Sequence, residues 1–131
     1  MKRIIVCDDE PHILEGLRYL LRGPERKIIV AASGKEALAL IDAEMPDLLI
    51  TDIMMPEMSG LEVVANLRAK NSTCNLPVII LTAKGQAQDA AMAQEVWGTT
   101  VVAKPFQPQQ LRTLVTATLE DSKCPQTNFM S

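Results

Sequence analysis

Leu48-Leu49-Ile50-Thr51-Asp52-Ile53-Met54-Met55-Pro56 is the stretch around which the 131-residue chain is organised. An apolar run with the look of a strand ends in a single carboxylate, and a proline closes the loop behind it. Three other runs end in a comparable way. Ile4-Ile5-Val6-Cys7 leads into Asp8-Asp9, Val78-Ile79-Ile80-Leu81 into Thr82, and Val101-Val102-Ala103 into Lys104-Pro105. Each run delivers a polar group that can handle a charged ligand. In open parallel α/β sheets, ligands bind at the carboxyl ends of the strands. The four endings are therefore read as one site, with Asp52 at its reactive centre.

The segments between these runs have helical periodicity. Pro11 suits a first helical turn, and Ile13, Leu14, Leu17, Leu20 and Leu21 form one stripe before Gly23-Pro24 stops it. Lys27 to Ala32 reads as a second strand. Ser33 and Glu36 have capping-box spacing for a second helix, which carries Ala37, Leu38 and Ile41 inward. Asp47 to Thr51 is the third strand, and Ser59-Gly60 opens a third helix with Leu61, Val64 and Leu67 on its stripe. A fourth helix over Gln86 to Val96 offers mostly small inner positions, Ala87, Ala90, Ala91 and Met92. Pro108 starts a fifth, with Leu111, Leu114 and Val115 inside. Strands and helices alternate five times at short connections. That pattern demands a parallel sheet with helices on both faces, joined by right-handed crossovers.

Composition bounds the rest. The length suits one domain, and the net charge of -3 is mild, with no basic run to mark a nucleic-acid footprint. The only aromatics are Tyr19, Trp97, Phe106 and Phe129, so direct nucleic-acid binding by base stacking is not expected. Cys7, Cys74 and Cys124 are an odd number, which favours reduced thiols in a cytoplasmic protein over a disulfide framework. Cys7 is expected to be inert core and His12 a surface residue, while the seven methionines are expected to fill gaps in the core. No signal-peptide pattern and no run of membrane-spanning length occurs. The tail from Asp121 onward is polar and aperiodic and is expected to fray, leaving residues 1–120 as the domain and 121–131 as a flexible tail.

The chemistry follows from the residue types. Asp8, Asp9 and Asp52 at neighbouring strand ends repel one another unless a cation joins them. Hard oxygen ligands with open positions suit Mg2+. A lysine and a threonine beside that metal complete an anion pocket, and a carboxylate can attack phosphorus to form an acyl phosphate. Taken singly, the acidic pair is an ordinary helix start, Thr82 an ordinary cap and Lys104 an ordinary surface lysine. Together, at the strand ends of one βα repeat, they are not.

These residues resemble the receiver domain of the two-component response-regulator family. Val6-Cys7-Asp8-Asp9-Glu10, Asp52 to Pro56 with Gly60, Leu81-Thr82-Ala83 and Lys104-Pro105-Phe106 carry the resemblance, which spans about Lys2 to Leu119. It implies a flavodoxin-like fold of strand order 2-1-3-4-5. It further implies a phosphoryl acceptor at Asp52, and Mg2+ on Asp9 and the Met54 carbonyl, with Asp8 reaching it through water. Thr82, the Ala83 amide and Lys104 would bind the phosphoryl oxygens, and the Lys104-Pro105 peptide would be cis. A module of this kind takes phosphate from a histidine kinase or phosphotransfer protein and changes its affinity for an output partner. That partner is expected on the fourth helix, fifth strand and fifth helix. It is not a conventional enzyme, because the chemistry is its own phosphorylation and dephosphorylation.

Two departures stand out. The family's usual aromatic, three residues before the lysine, is Val101 here, and Trp97-Gly98-Thr99-Thr100 replaces the usual run before the fifth strand. No effector domain follows the fifth helix, so the chain is expected to be a stand-alone receiver or a part of a longer protein. Two other readings compete. A constitutive interaction domain is opposed by the intact Asp52, Thr82 and Lys104, and a nucleotide binder by the lack of a Gly-rich loop after the first strand.

Overall fold

A computed structural model describes residues 1–83, 87–96 and 98–121, with the backbone alone for 87–90 and 121. The strands are β1 (Lys2–Cys7), β2 (Arg26–Ala31), β3 (Leu48–Asp52), β4 (Val78–Thr82) and β5 (Thr99–Ala103). The helices are α1 (Pro11–Leu21), α2 (Gly34–Glu44), α3 (Gly60–Arg68), α4 (Ala87–Gln94) and α5 (Pro108–Asp121). All strand pairs are parallel and the order is β2-β1-β3-β4-β5, as the resemblance implies.

Side chains alternate across a strand, so each central strand feeds two cores. Ile5, Leu49 and Ile80 pack beneath α2 and α3, against Ala37, Ile41, Val63, Val64 and Leu67. Ile4, Ile50, Ile79 and Leu81 face the other way, against Leu14, Leu17 and Leu21 of α1 and Leu111, Val115 and Leu119 of α5. Every residue of β3 and β4 is buried. Burying each of these leucines and isoleucines stabilises the fold by about 1.5–3 kcal/mol relative to exposure.

Local signals place the helices. Ser33 Oγ accepts from the Glu36 amide, and Glu36 Oε1 accepts from the Ala32 amide. Ser59 and Glu62 form a complete capping box at the start of α3. Several expectations need correction. Among the described side chains of α4 the buried one is Ala93, whereas Ala91 and Met92 face outward; the side chains of Ala87 and Ala90 lie outside the described ones. The methionines are mostly outside the core. Met55 is buried and Met58 partly so, but Met1, Met45, Met54 and Met92 are exposed. The third strand runs over Leu48–Asp52 rather than Asp47 to Thr51, so Asp52 is its last residue. Of the expected tail, residues 121–131, Asp121 is instead the last residue of α5, and residues 122–131 lie outside the described residues, as do Lys84 and Trp97.

Candidate phosphoacceptor site

Strand register assembles the site. Cys7 pairs with Thr51, so Asp8 emerges beside Asp52. Asp52 pairs with Leu81 and Thr82 with Ala103, which brings Thr82 and Lys104 out at the same end on the other side. The Lys104 amide donates to the Thr82 carbonyl at 2.6 Å, tying the ends of β4 and β5 together. The Lys104-Pro105 peptide is cis. Ligand oxygens of Asp8, Asp9 and Asp52 lie within 4.8 Å of one another.

The loop behind Asp52 is braced from below. The Ile53 amide donates both ways, to Leu81 O at 3.0 Å and to Asp52 Oδ1 at 3.0 Å. The Gly60 amide donates to Ile53 O at 2.8 Å, which draws the start of α3 against the end of β3. A Cβ on Gly60 would overlap the Asp52 carbonyl oxygen, so the glycine is a matter of space.

Charge is distributed unevenly. Lys104 Nζ donates to Asp52 Oδ1 at 3.2 Å, and this oxygen therefore has two donors. Asp52 Oδ2 accepts no hydrogen bond among the described residues, and the side chain keeps 11 % of its surface exposed. Asp8 is fully buried. Its Oδ1 accepts from the Glu10 amide at 2.9 Å, but its Oδ2 has no hydrogen-bond partner, only the Lys104 ammonium at 3.8 Å. Burial pushes the carboxyls of both Asp8 and Asp52 above the usual aspartate range, with Lys104 pulling the other way. A buried, deprotonated oxygen with no donor is costly unless a cation meets it. A hard divalent cation fits this set of carboxylates, and Asp9, on the exposed side, leaves the approach open.

The structure brings Asp8, Asp9, Asp52, Thr82 and Lys104 to one end of the sheet. The Thr82 hydroxyl is nearly buried and donates to nothing among the described residues, so it is available to a ligand. Met54 is half-exposed in the loop behind Asp52, and Ala83 is exposed at the exit of β4. His12 is exposed on α1, away from this role. Cys7 is buried one residue before Asp8, with its thiol pushed up to about 12 by burial, which leaves it a core side chain. Sequence reasoning missed the Ile53 amide and the spatial role of Gly60, since neither contributes a functional side chain; the Asp-x₇-Gly spacing was their only signal.

Comparison with known proteins agrees with this geometry. Residues 4–116 match the response regulator receiver domain. The chain is 35 % identical over 122 residues to the alkaline phosphatase synthesis transcriptional regulatory protein PhoP of Bacillus subtilis (strain 168), covering 93 % of this chain and 50 % of PhoP. It is 36 % identical over 118 residues to the DNA-binding response regulator MtrA of Mycolicibacterium smegmatis (strain ATCC 700084 / mc(2)155), covering 90 % of this chain and 50 % of MtrA. It thus spans about half the length of these curated relatives. Among solved structures, a response regulator receiver domain protein from Clostridium thermocellum superposes with a TM-score of 0.82 at 28 % identity, over 94 % of this chain and 98 % of that one. This chain belongs to the response regulator receiver domain family, the signalling domains of two-component systems. No helix among the described residues is long and apolar enough to cross a membrane.

Proposed function

We propose that the chain accepts a phosphoryl group on Asp52 from a phosphohistidine of a histidine kinase or phosphotransfer protein, in the cytoplasm, and that this changes its affinity for an output partner. The observation that carries the reading is the Asp52 carboxylate, which has one oxygen pinned by Lys104 and the Ile53 amide and the other without a hydrogen bond among the described residues, beside two further carboxylates.

Asp52 Oδ2 attacks the phosphorus as a nucleophile, while Oδ1 stays fixed by its two donors. The phosphorus–nitrogen bond of the donor breaks, its electron pair stays on the imidazole, and that ring takes up a proton. The product is a mixed anhydride on Asp52. Lys104 and Thr82 receive the phosphoryl oxygens, the first by charge and the second by a hydroxyl that donates to nothing else among the described residues. The amide of Ala83 follows Thr82 as a third donor. Asp8, Asp9 and Asp52, with the Met54 carbonyl, would hold Mg2+, which when bound neutralises the charge that gathers on the phosphoryl oxygens. The protein acts on its own phosphoryl group rather than turning over a substrate. The output partner is assigned to α4, β5 and α5, and no contact with nucleic acid is assigned to this chain.

Intact mass with Mg2+ and acetyl phosphate tests the proposal. The wild type should gain one phosphoryl mass and Asp52→Asn none. Equal gain in the variant would move the acceptor elsewhere, and no gain in either would make the domain a constitutive interaction module.

A further inference from the structure

At the opposite end of the strands from Asp52, the starts of β1 and β2, the end of α1 and the last turns of α5 border an open hollow of about 530 Å3. Lys2, Arg22, Arg26 and Arg112 line it, together with Glu25 and Glu120. Two shallower hollows extend it into a groove. One of about 330 Å3 shares Arg22 and Arg26 and adds Glu15, Arg18 and Tyr19, and one of about 390 Å3 along α5 shares Arg112 and Thr116. In a chain of net charge -3, this groove holds two more cations than carboxylates.

The arginines differ in what they already do. Arg26 is a brace, donating to Leu21 O at 3.2 Å and to Thr116 Oγ1 at 2.8 Å, so that it joins α1, β2 and α5. Arg18 pairs with Glu15 at 3.4 Å in solvent. The Arg22 guanidinium lies over the Tyr19 ring at 4.0 Å, which fixes the plane of the group without using its donors. Lys2 and Arg112 make no side-chain hydrogen bond or ion pair among the described residues, and Glu25 and Glu120 do not neutralise them. Guanidinium groups held in place with free donors recognise carboxylates in bidentate fashion.

We propose that this groove docks an extended acidic segment of a protein partner, independently of the Asp52 site. Its length, across three connected hollows, suits an extended chain. The interspersed carboxylates oppose a uniform polyanion, which would meet Glu15, Glu25 and Glu120 as well as the cations. A peptide can match that alternation, with carboxylates at Arg22 and Arg112 and neutral residues between.

The experiment is fluorescence anisotropy of a short labelled peptide in which glutamates are spaced by glycine and serine, with the full chain at low ionic strength, where such contacts are least screened. Arg22→Glu combined with Arg112→Glu should weaken binding about tenfold or more, and the glutamine pair should lose less. Both positions are exposed, so thermal melting should be unchanged. Lys35→Glu combined with Lys70→Glu makes the same charge change elsewhere and should leave binding within about twofold. Equal losses in the two charge-reversed proteins would overturn the proposal in favour of general attraction. So would the absence of binding, or displacement of the peptide by duplex DNA at a lower concentration than by unlabelled peptide.

Discussion

Asp8 is poorly matched to the metal-free protein around it. Its carboxylate is fully buried, and one oxygen lacks any hydrogen bond. Burial raises the carboxyls of Asp8 and Asp52 above the ordinary aspartate value of 3.8. Between that value and the raised folded values, the native state holds protons that the unfolded chain has released. Their contribution to stability is therefore present at the acid end of this window and is lost as pH rises through the folded pKa values. Thermal melts without metal should accordingly show wild type losing stability relative to Asp8→Asn as the solution is made less acid. Near neutral pH the variant should be the more stable, by about 1 kcal/mol. Mg2+ should reverse the order, because binding to the wild type stabilises it by mass action; a variant less stable than wild type without metal would defeat this account. Met54 supports a second expectation. Half-exposed two residues beyond Asp52, it offers neither carboxylate nor amide to orient a water molecule. Met54→Asn should speed loss of the phosphoryl group about tenfold by positioning that water, followed as decay of the phosphorylated mass.

Elements matter through how closely they approach. The start of α3 sits so near β3 that Gly60 leaves no room for a methyl group. Gly60→Ala should cost about 1–3 kcal/mol in chemical denaturation, and it should slow phosphorylation by shifting Asp52; an unaltered rate with the full stability loss would show that the two are uncoupled. Much of this level was legible beforehand. Short runs such as Val78 to Leu81 are marked as strands by their length, their β-branched residues and the proline before them, and Ser33 with Glu36 marks a helix start by chemistry that operates within four residues. The α4 segment was read less well. Alanines satisfy several faces of a helix equally, so the sequence did not distinguish Ala93 from Ala91, and only packing on the sheet chose between them. The site was legible as a set of side chains. Its backbone members, the Ile53 and Lys104 amides, were not, because every residue carries an amide and only the register decides which ones meet.

Across the whole molecule the helices are unequally held. On one face α1 and α5 bury leucines and a valine; on the other α2 and α3 bury Ala37, Ile41, Val63, Val64 and Leu67. The contrast lies in α4, where among the described side chains only Ala93 is buried, with Val96 and Val101 packed at the margin. Local opening is easiest where apolar contact is least. Amide exchange over residues 87–94 should be faster than in α1 or α3, and beryllofluoride with Mg2+ should alter it there and across β5. Val101 has no ring to swing, so the adjustment falls on the backbone; unchanged exchange over 87–103 once the ligand is bound would exclude this route. The pairing of Thr82 with Lys104 has another consequence, for biosynthesis. All three carboxylates belong to the first 52 residues, while the ammonium that opposes them arrives with Lys104. At translation speeds of roughly 5–20 residues per second, the acidic cluster leaves the ribosome several seconds before its counter-charge. During that interval a nascent chain has its acceptor but no pocket around it, and β3 presents an open edge until β4 and β5 are added.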